Sequence, residues 1–183
     1  MATISSGVSL SKDYFLRNYY QNNRSAVKNS GRKELTKSEL SFEDSAALRR
    51  AIKQLGKYKY DDTDNSDNIY GSISALIDTY NNSLDSNSQT SASKYVKQLK
   101  KVISKHSDEL SDIGITVSKD GKMSYSENLL KNAKLDKLKE VFGKQSDLNK
   151  SLGNIAKRMH STSYNDVMTQ ALGGIGTNIN ISL

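Results

Sequence analysis

Apolar residues recur at three- and four-residue spacing through most of the middle of this chain, and that period predicts a run of amphipathic helices. The first carries Phe42, Leu48, Ile52 and Leu55; Thr36 with Glu39 forms a capping box at its start, and Gly56 stops it. A second presents Ile69, Ile73, Leu76, Tyr80 and Leu84. A third repeats Val96, Leu99, Ile103, His106, Leu110 and Ile113 over about two and a half heptads, a seam of coiled-coil type. Asp85-Ser86-Asn87-Ser88 joins the second to the third. A shorter helix from Ser126 to Phe142 uses Leu129, Leu130, Leu135, Leu138, Val141 and Phe142, and ends at Gly143. The last uses Leu148, Leu152, Ile155 and Met159, then falters at Ser161-Thr162-Ser163 before Val167, Met168 and Ala171, so a break or a new N-cap is predicted there.

Between the third helix and the short one the period changes from helical to alternating. Ile115 and Val117 alternate with polar residues before Asp120-Gly121, and Met123 and Tyr125 alternate after it. A β-hairpin is the expected result, with Gly121 supplying the positive φ of a tight turn. Gly114 suits a left-handed helix C-cap before it, and Ser126 with Glu127 suits the opening of the helix after it. The fold class expected is mainly α, an antiparallel, coiled-coil-like helical bundle with one small hairpin at about residues 115–125.

The pattern divides the chain into three parts. Residues 1–35 read as a flexible N-terminal arm with one short helix, carried by Leu10, Tyr14, Phe15, Tyr19 and Tyr20; the polar stretch from Asn18 to Lys37 reads as linker. Residues 36–172 are the helical bundle domain with its hairpin. Residues 173–183 read as a flexible apolar tail, in which Ile179, Ile181 and Leu183 alternate like an edge strand without a partner.

Composition sharpens this picture at two points. Average usage would place about nine prolines in a chain of this length, and there are none; a proline inside a helix costs about 3 kcal/mol, so long helices leave few places for one. There is also no cysteine, which excludes disulfides, metal thiolates and thiol catalysis. Both a cytosolic protein and one exported through a secretion channel fit that absence. The first residues, Met1-Ala2-Thr3-Ile4-Ser5-Ser6-Gly7, have neither the basic nor the apolar region of a cleaved signal. No stretch reaches the roughly 18 apolar residues of a membrane span, so no membrane insertion is expected.

The net charge of +7 raises the question of a polyanion partner. Lys94, Lys97, Lys100, Lys101 and Lys105 lie around the outside of the third helix's seam, where solvated lysines belong, and only Tyr95 is interleaved with them. No specific nucleic-acid partner is expected from that run.

Candidate chemistry is sparse, and no catalytic residue, cofactor or metal site is assigned. His106 falls on an apolar seam and His160 at the end of another, neither with a sequence-level partner for nucleophilic or acid–base work. Asp61-Asp62-Thr63-Asp64-Asn65-Ser66-Asp67 begins like a calcium loop but places Asp67 at the glycine position and Ile73 at the position of the bidentate glutamate. The hairpin fails in the opposite sense, since Thr116 and Ser118 leave its first half without carboxylates.

One stretch is specific enough to suggest kinship. Leu110 to Leu130, read as LxxIGIxxxxDGKxxxxxxxL, resembles the C-terminal helical part of the flagellar hook-associated protein 2 family, the filament cap. Upstream, Ile73-Ser74-Ala75-Leu76-Ile77-Asp78-Thr79-Tyr80-Asn81 resembles that family's FVdAYN helix, and Val141-Phe142 and Ile155-Ala156-Lys157-Arg158-Met159 resemble its later helices. The resemblance covers about Ile69 to His160 and implies a non-enzymatic structural protein, exported without a cleaved signal, that associates with flagellin-like axial proteins or with itself. It departs from the family in having no room for the outer head that cap proteins carry between their helical arms. Contact along apolar stripes would use Ile69, Ile73, Leu99 and Ile103, with Ile179, Ile181 and Leu183 in the tail. A cytoplasmic helical adaptor, an export chaperone and a basic polyanion binder are the other classes compatible with the residues.

Overall fold

Helix α3, Lys37–Leu55, is the strut on which the rest is built. Its N-terminus is the expected capping box, with Thr36 accepting from the Glu39 amide and Glu39 accepting from the Thr36 amide. In the computed structural model, which describes Leu10 to Gly173, α3 packs against α4 (Ser66–Asn87) on one side and α9 (Asp147–Gly173) on the other. Both neighbours run antiparallel to it. Ser41 near the start of α3 meets Asn87 at the end of α4 and Ser163 late in α9, whereas Ile52 near its end meets Asn149 and Gly153 early in α9. The molecule is mainly helical with one two-stranded antiparallel sheet, as the periodicity predicts.

The remaining elements close the sides of this bundle. Helix α1, Lys12–Tyr19, is capped by Ser11 and lays Phe15, Leu16 and Tyr19 against α4 and α3. A 3-10 turn at Arg24–Val27 and the single turn α2, Asn29–Arg32, follow. The expected flexible arm is therefore packed from Leu10 onward, and the expected linker is ordered by polar contacts. Asp44, fully buried on α3, accepts both Arg32 Nη1 (2.7 Å) and Nη2 (2.8 Å), and also the Tyr20 hydroxyl (2.7 Å). Asn82 donates to the same hydroxyl at 3.0 Å, and Arg32 reaches the Ala26 carbonyl. A fork from a planar guanidinium to a buried carboxylate stabilises an apolar-poor segment in a way that hydrophobic periodicity does not report.

Three helices differ from their predicted extents. The long third helix is two: α5, Ser93–Lys105, and α6, Ser107–Ser111, separated by His106 with φ −105° and ψ 18°. Leu110 and Ile113 stay buried, so the spacing persists across the break. The predicted helix at 126–142 is also two, α7 (Glu127–Asn132) and α8 (Leu135–Phe142), separated by extended backbone at Ala133 and Lys134. Conversely, α9 does not break at Ser161-Thr162-Ser163. Ser161 and Ser163 donate to the carbonyls of Lys157 and Met159 one turn back, so these serines remain inside the helix instead of capping a new one.

The hairpin forms where expected, between β1 (Ile115–Val117) and β2 (Met123–Tyr125), with Thr116 opposite Ser124. Gly114 and Gly121 have φ of +80° and +81°, the left-handed values their positions require. Ser126 caps α7 through the Leu129 amide. The outer edge of β2 is not left open. Asn81 on α4 accepts from the Met123 amide (2.9 Å) and donates to the Met123 carbonyl (2.7 Å), so its side-chain amide pairs with the strand as a neighbouring peptide would. Beside it the Tyr80 hydroxyl donates to the Gly121 carbonyl at 2.9 Å. One continuous core, from Phe15 in α1 to Met159 in α9, includes Ile115 and Met123 of the hairpin.

Candidate functional site

Helix α9 has 27 residues and α3 has 19, and the excess length sets the most distinctive surface of the molecule. The last buried side chain of α9 is Ser163. It is pinned there by a polar cluster in which Ser41 donates to Asn87 Oδ1 (2.6 Å), Ser163 Oγ lies 2.8 Å from Ser41 Oγ, and Asn87 Nδ2 donates to the Ser83 carbonyl (3.0 Å). Beyond this pin the helix leaves the bundle, and residues 168–173 are all exposed.

Among the described residues the projecting part is amphipathic without a partner. Tyr164, Met168 and Leu172 repeat every four residues and are 48%, 39% and 60% exposed; Val167 and Ala171 lie beside them on the same face. At the root of the stripe the Phe42 ring of α3 stacks at a tilt on His160 (5.1 Å between centroids) and on Tyr164 (5.9 Å). Burial, together with Arg49 and Arg50, holds the His160 imidazole below its ordinary pKa. Between Arg158 and Gly173 the only permanently charged residue is Asp166, which accepts from the Ser91 hydroxyl at 2.5 Å. A surface with three large apolar side chains and so little charge suits docking of an apolar helix face.

The contact residues expected from the sequence do not form this surface. Ile69, Ile73, Leu99 and Ile103 are each 0% exposed and belong to the core, so they offer nothing to a partner. Ile179, Ile181 and Leu183 lie outside the described residues. Sequence reasoning missed Tyr164, Met168 and Leu172 as a surface. The usable signal was the renewal of helical spacing after Ser163.

The other chemical candidates have local partners. His106 is buried with Nδ1 3.0 Å from Glu109 Oε2, one turn on, in an opening of about 350 Å³ lined also by Asp112, Lys137, Glu140 and Asp147. Asn65 donates to the Asp62 carboxylate at 2.6 Å in the turn that leads into α4. Asp120 accepts from the Ser118 hydroxyl, and that bond holds its carboxyl below the usual range. Among the described residues no three His, Asp or Glu side chains are grouped to hold a metal ion, and no helix is long and apolar enough to cross a membrane. Comparison with protein families, with curated proteins and with solved structures found no match to this chain.

Proposed function

We propose that this chain is a non-enzymatic interaction protein of the flagellar axial type, similar to the helical part of the filament cap, and that it docks an apolar helix of an exported, flagellin-like protein along the projecting end of α9. The observation that carries the reading is the exposed Tyr164–Met168–Leu172 stripe on a helix that outruns its own bundle. Its near absence of charge favours an apolar helix as the occupant, because a strongly charged partner would find no ion pairs there to offset desolvation. Spatial joining of the two segments that resemble the cap family adds support: Tyr80 and Asn81 of one hold Gly121 and Met123 of the other.

The test is capture of flagellin and hook-junction proteins by the full chain and by a Met168→Glu/Leu172→Glu variant. Both positions are exposed, so the variant keeps its melting temperature, while two charges placed along the helix-docking stripe lower capture at least tenfold. Detection of the chain in culture supernatant accompanies this if it is exported. Capture of no axial protein by either form, with the chain retained in the cytoplasm, refutes the reading. Self-association abolished by the same substitutions replaces the flagellin-like helix with a second copy.

A further inference from the structure

A second surface, on the side of α3 where it meets the end of α1, has the opposite chemistry. Arg49, Arg50 and Lys53 of α3 and Lys57 in the turn after it line a groove of about 480 Å³, together with Gln21, after α1, and His160 on α9. Among the described residues no acidic side chain lines it, and between Asp44 and Asp61 the sequence contains no acid at all. Arg49, Lys53 and Lys57 follow one another at four-residue spacing and are exposed. Like charges at that spacing destabilise a helix by about a few tenths of a kcal/mol per pair, so the Arg49–Lys53 pair within α3 weighs against folding.

The groove is also organised. Arg50 donates to the Tyr19 carbonyl (2.6 Å) and to Asn22 Oδ1 (2.8 Å), which ties its guanidinium to the end of α1 and sets one wall. The acid on α3 whose charge acts on Arg50 is Glu43, which is buried and is not part of the groove's lining. Burial, together with Arg49 and Arg50, holds the His160 imidazole beside them below its ordinary pKa. We propose that this groove binds a compact phosphate-bearing anion. Two guanidinium groups and two ammonium groups around one concavity match the geometry in which arginine forks and lysine point charges share phosphate oxygens. Its size suits a short phosphate chain. The rings in the lining are Tyr19, buried with its hydroxyl 2.5 Å from Ser72 Oγ, and the His160 imidazole, which packs on Phe42, so the four cations carry the recognition and its target is phosphate.

The experiment is titration of the full chain with inorganic triphosphate, by calorimetry at 50 and 200 mM salt, beside two charge-matched variants. Arg49→Glu/Lys53→Glu alters the groove; Lys94→Glu/Lys101→Glu alters the lysine face of α5 and serves as control. One saturable site, weakened at least tenfold by the first variant and less than twofold by the second, with melting temperatures unchanged, is expected. Adenosine triphosphate then binds within about twofold of the inorganic chain. Equal loss in both variants, or no saturation in the millimolar range, overturns the proposal, and so does a single-stranded oligonucleotide that binds far more tightly than triphosphate and depends on both faces. None of these outcomes bears on helix docking at the end of α9.

Discussion

Glu43 is the residue most at odds with its surroundings. It is 7% exposed on α3, and its Oε2 has no hydrogen-bond partner. Burial pushes its carboxyl up to about 6, partly offset by Arg50. Because the folded value lies above the unfolded one, near 4.5, the protonated form suits the native state, and the cost of ionisation is absent below the unfolded value and complete above the folded one. A Glu43→Gln variant is expected to be more stable than the parent by about 1–2 kcal/mol at pH 7.5 and equal to it at pH 4. Thermal melts at both pH values check this, and a uniform gain across the range would contradict it. Asp44, one position on, has the contrasting fate, with Arg32 and Tyr20 meeting its carboxylate. No spacing rule separates these two adjacent acids in the sequence, since what differs is a partner that arrives from the preceding segment.

At the scale of elements, the hairpin shows how a side chain can finish a sheet. Two short strands are marginal by themselves in water, and this pair depends on the helix that covers it. Replacing Asn81 by leucine removes both bonds to Met123 and leaves a partly buried amide and carbonyl unpaired. The expected cost is about 1–3 kcal/mol in denaturant unfolding, with faster hydrogen exchange concentrated at 115–125. Exchange that rises evenly over all the helices instead would show that Asn81 holds α4 and not the hairpin. The hairpin itself was legible, because alternation, Asp-Gly, the Gly114 cap before it and the Ser126 cap after it all agree on it. Its clasp was not, because Tyr80 and Asn81 read as part of a helical stripe 40 residues away. Serines misled in the same manner. Ser161 to Ser163 look like a cap by composition, but Ser161 and Ser163 donate to carbonyls one turn back, and Ser41 and Asn87 hold Ser163 across the bundle, so α9 passes through them unbroken.

For the molecule as a whole, periodicity located the core well and the surface poorly. Ile69, Ile73, Leu99 and Ile103 are apolar positions at helical spacing, and that spacing is the same whether a stripe faces its own bundle or another chain. The discriminating quantity is the mismatch in length between α9 and α3, which was hidden by the predicted break. Basic residues posed a related problem. The lysine run that stands out in the sequence lies on α5, whereas the concave cluster is assembled around α1, α3 and α9 and centres on two arginines.

Pinning at Ser163 also gives the projecting helix an angular phase. At about 1.5 Å and 100° per residue, Leu172 stands about 14 Å beyond the pin, and its bearing relative to Phe42 is set by the number of residues between. One alanine inserted between Ser163 and Tyr164 turns the stripe by about 100° and carries Tyr164 away from the Phe42 ring; seven alanines return it to within about 20° of its original bearing. Capture of a docked helix that also touches Phe42 is expected to fail with one insertion and to recover in part with seven, while both proteins melt as the parent does. Equal capture by the two would mean that the stripe acts alone, as a free ribbon whose bearing has no meaning; recovery with seven would make α9 a keyed shaft, in which the bundle decides not only what is gripped but the direction in which it is held.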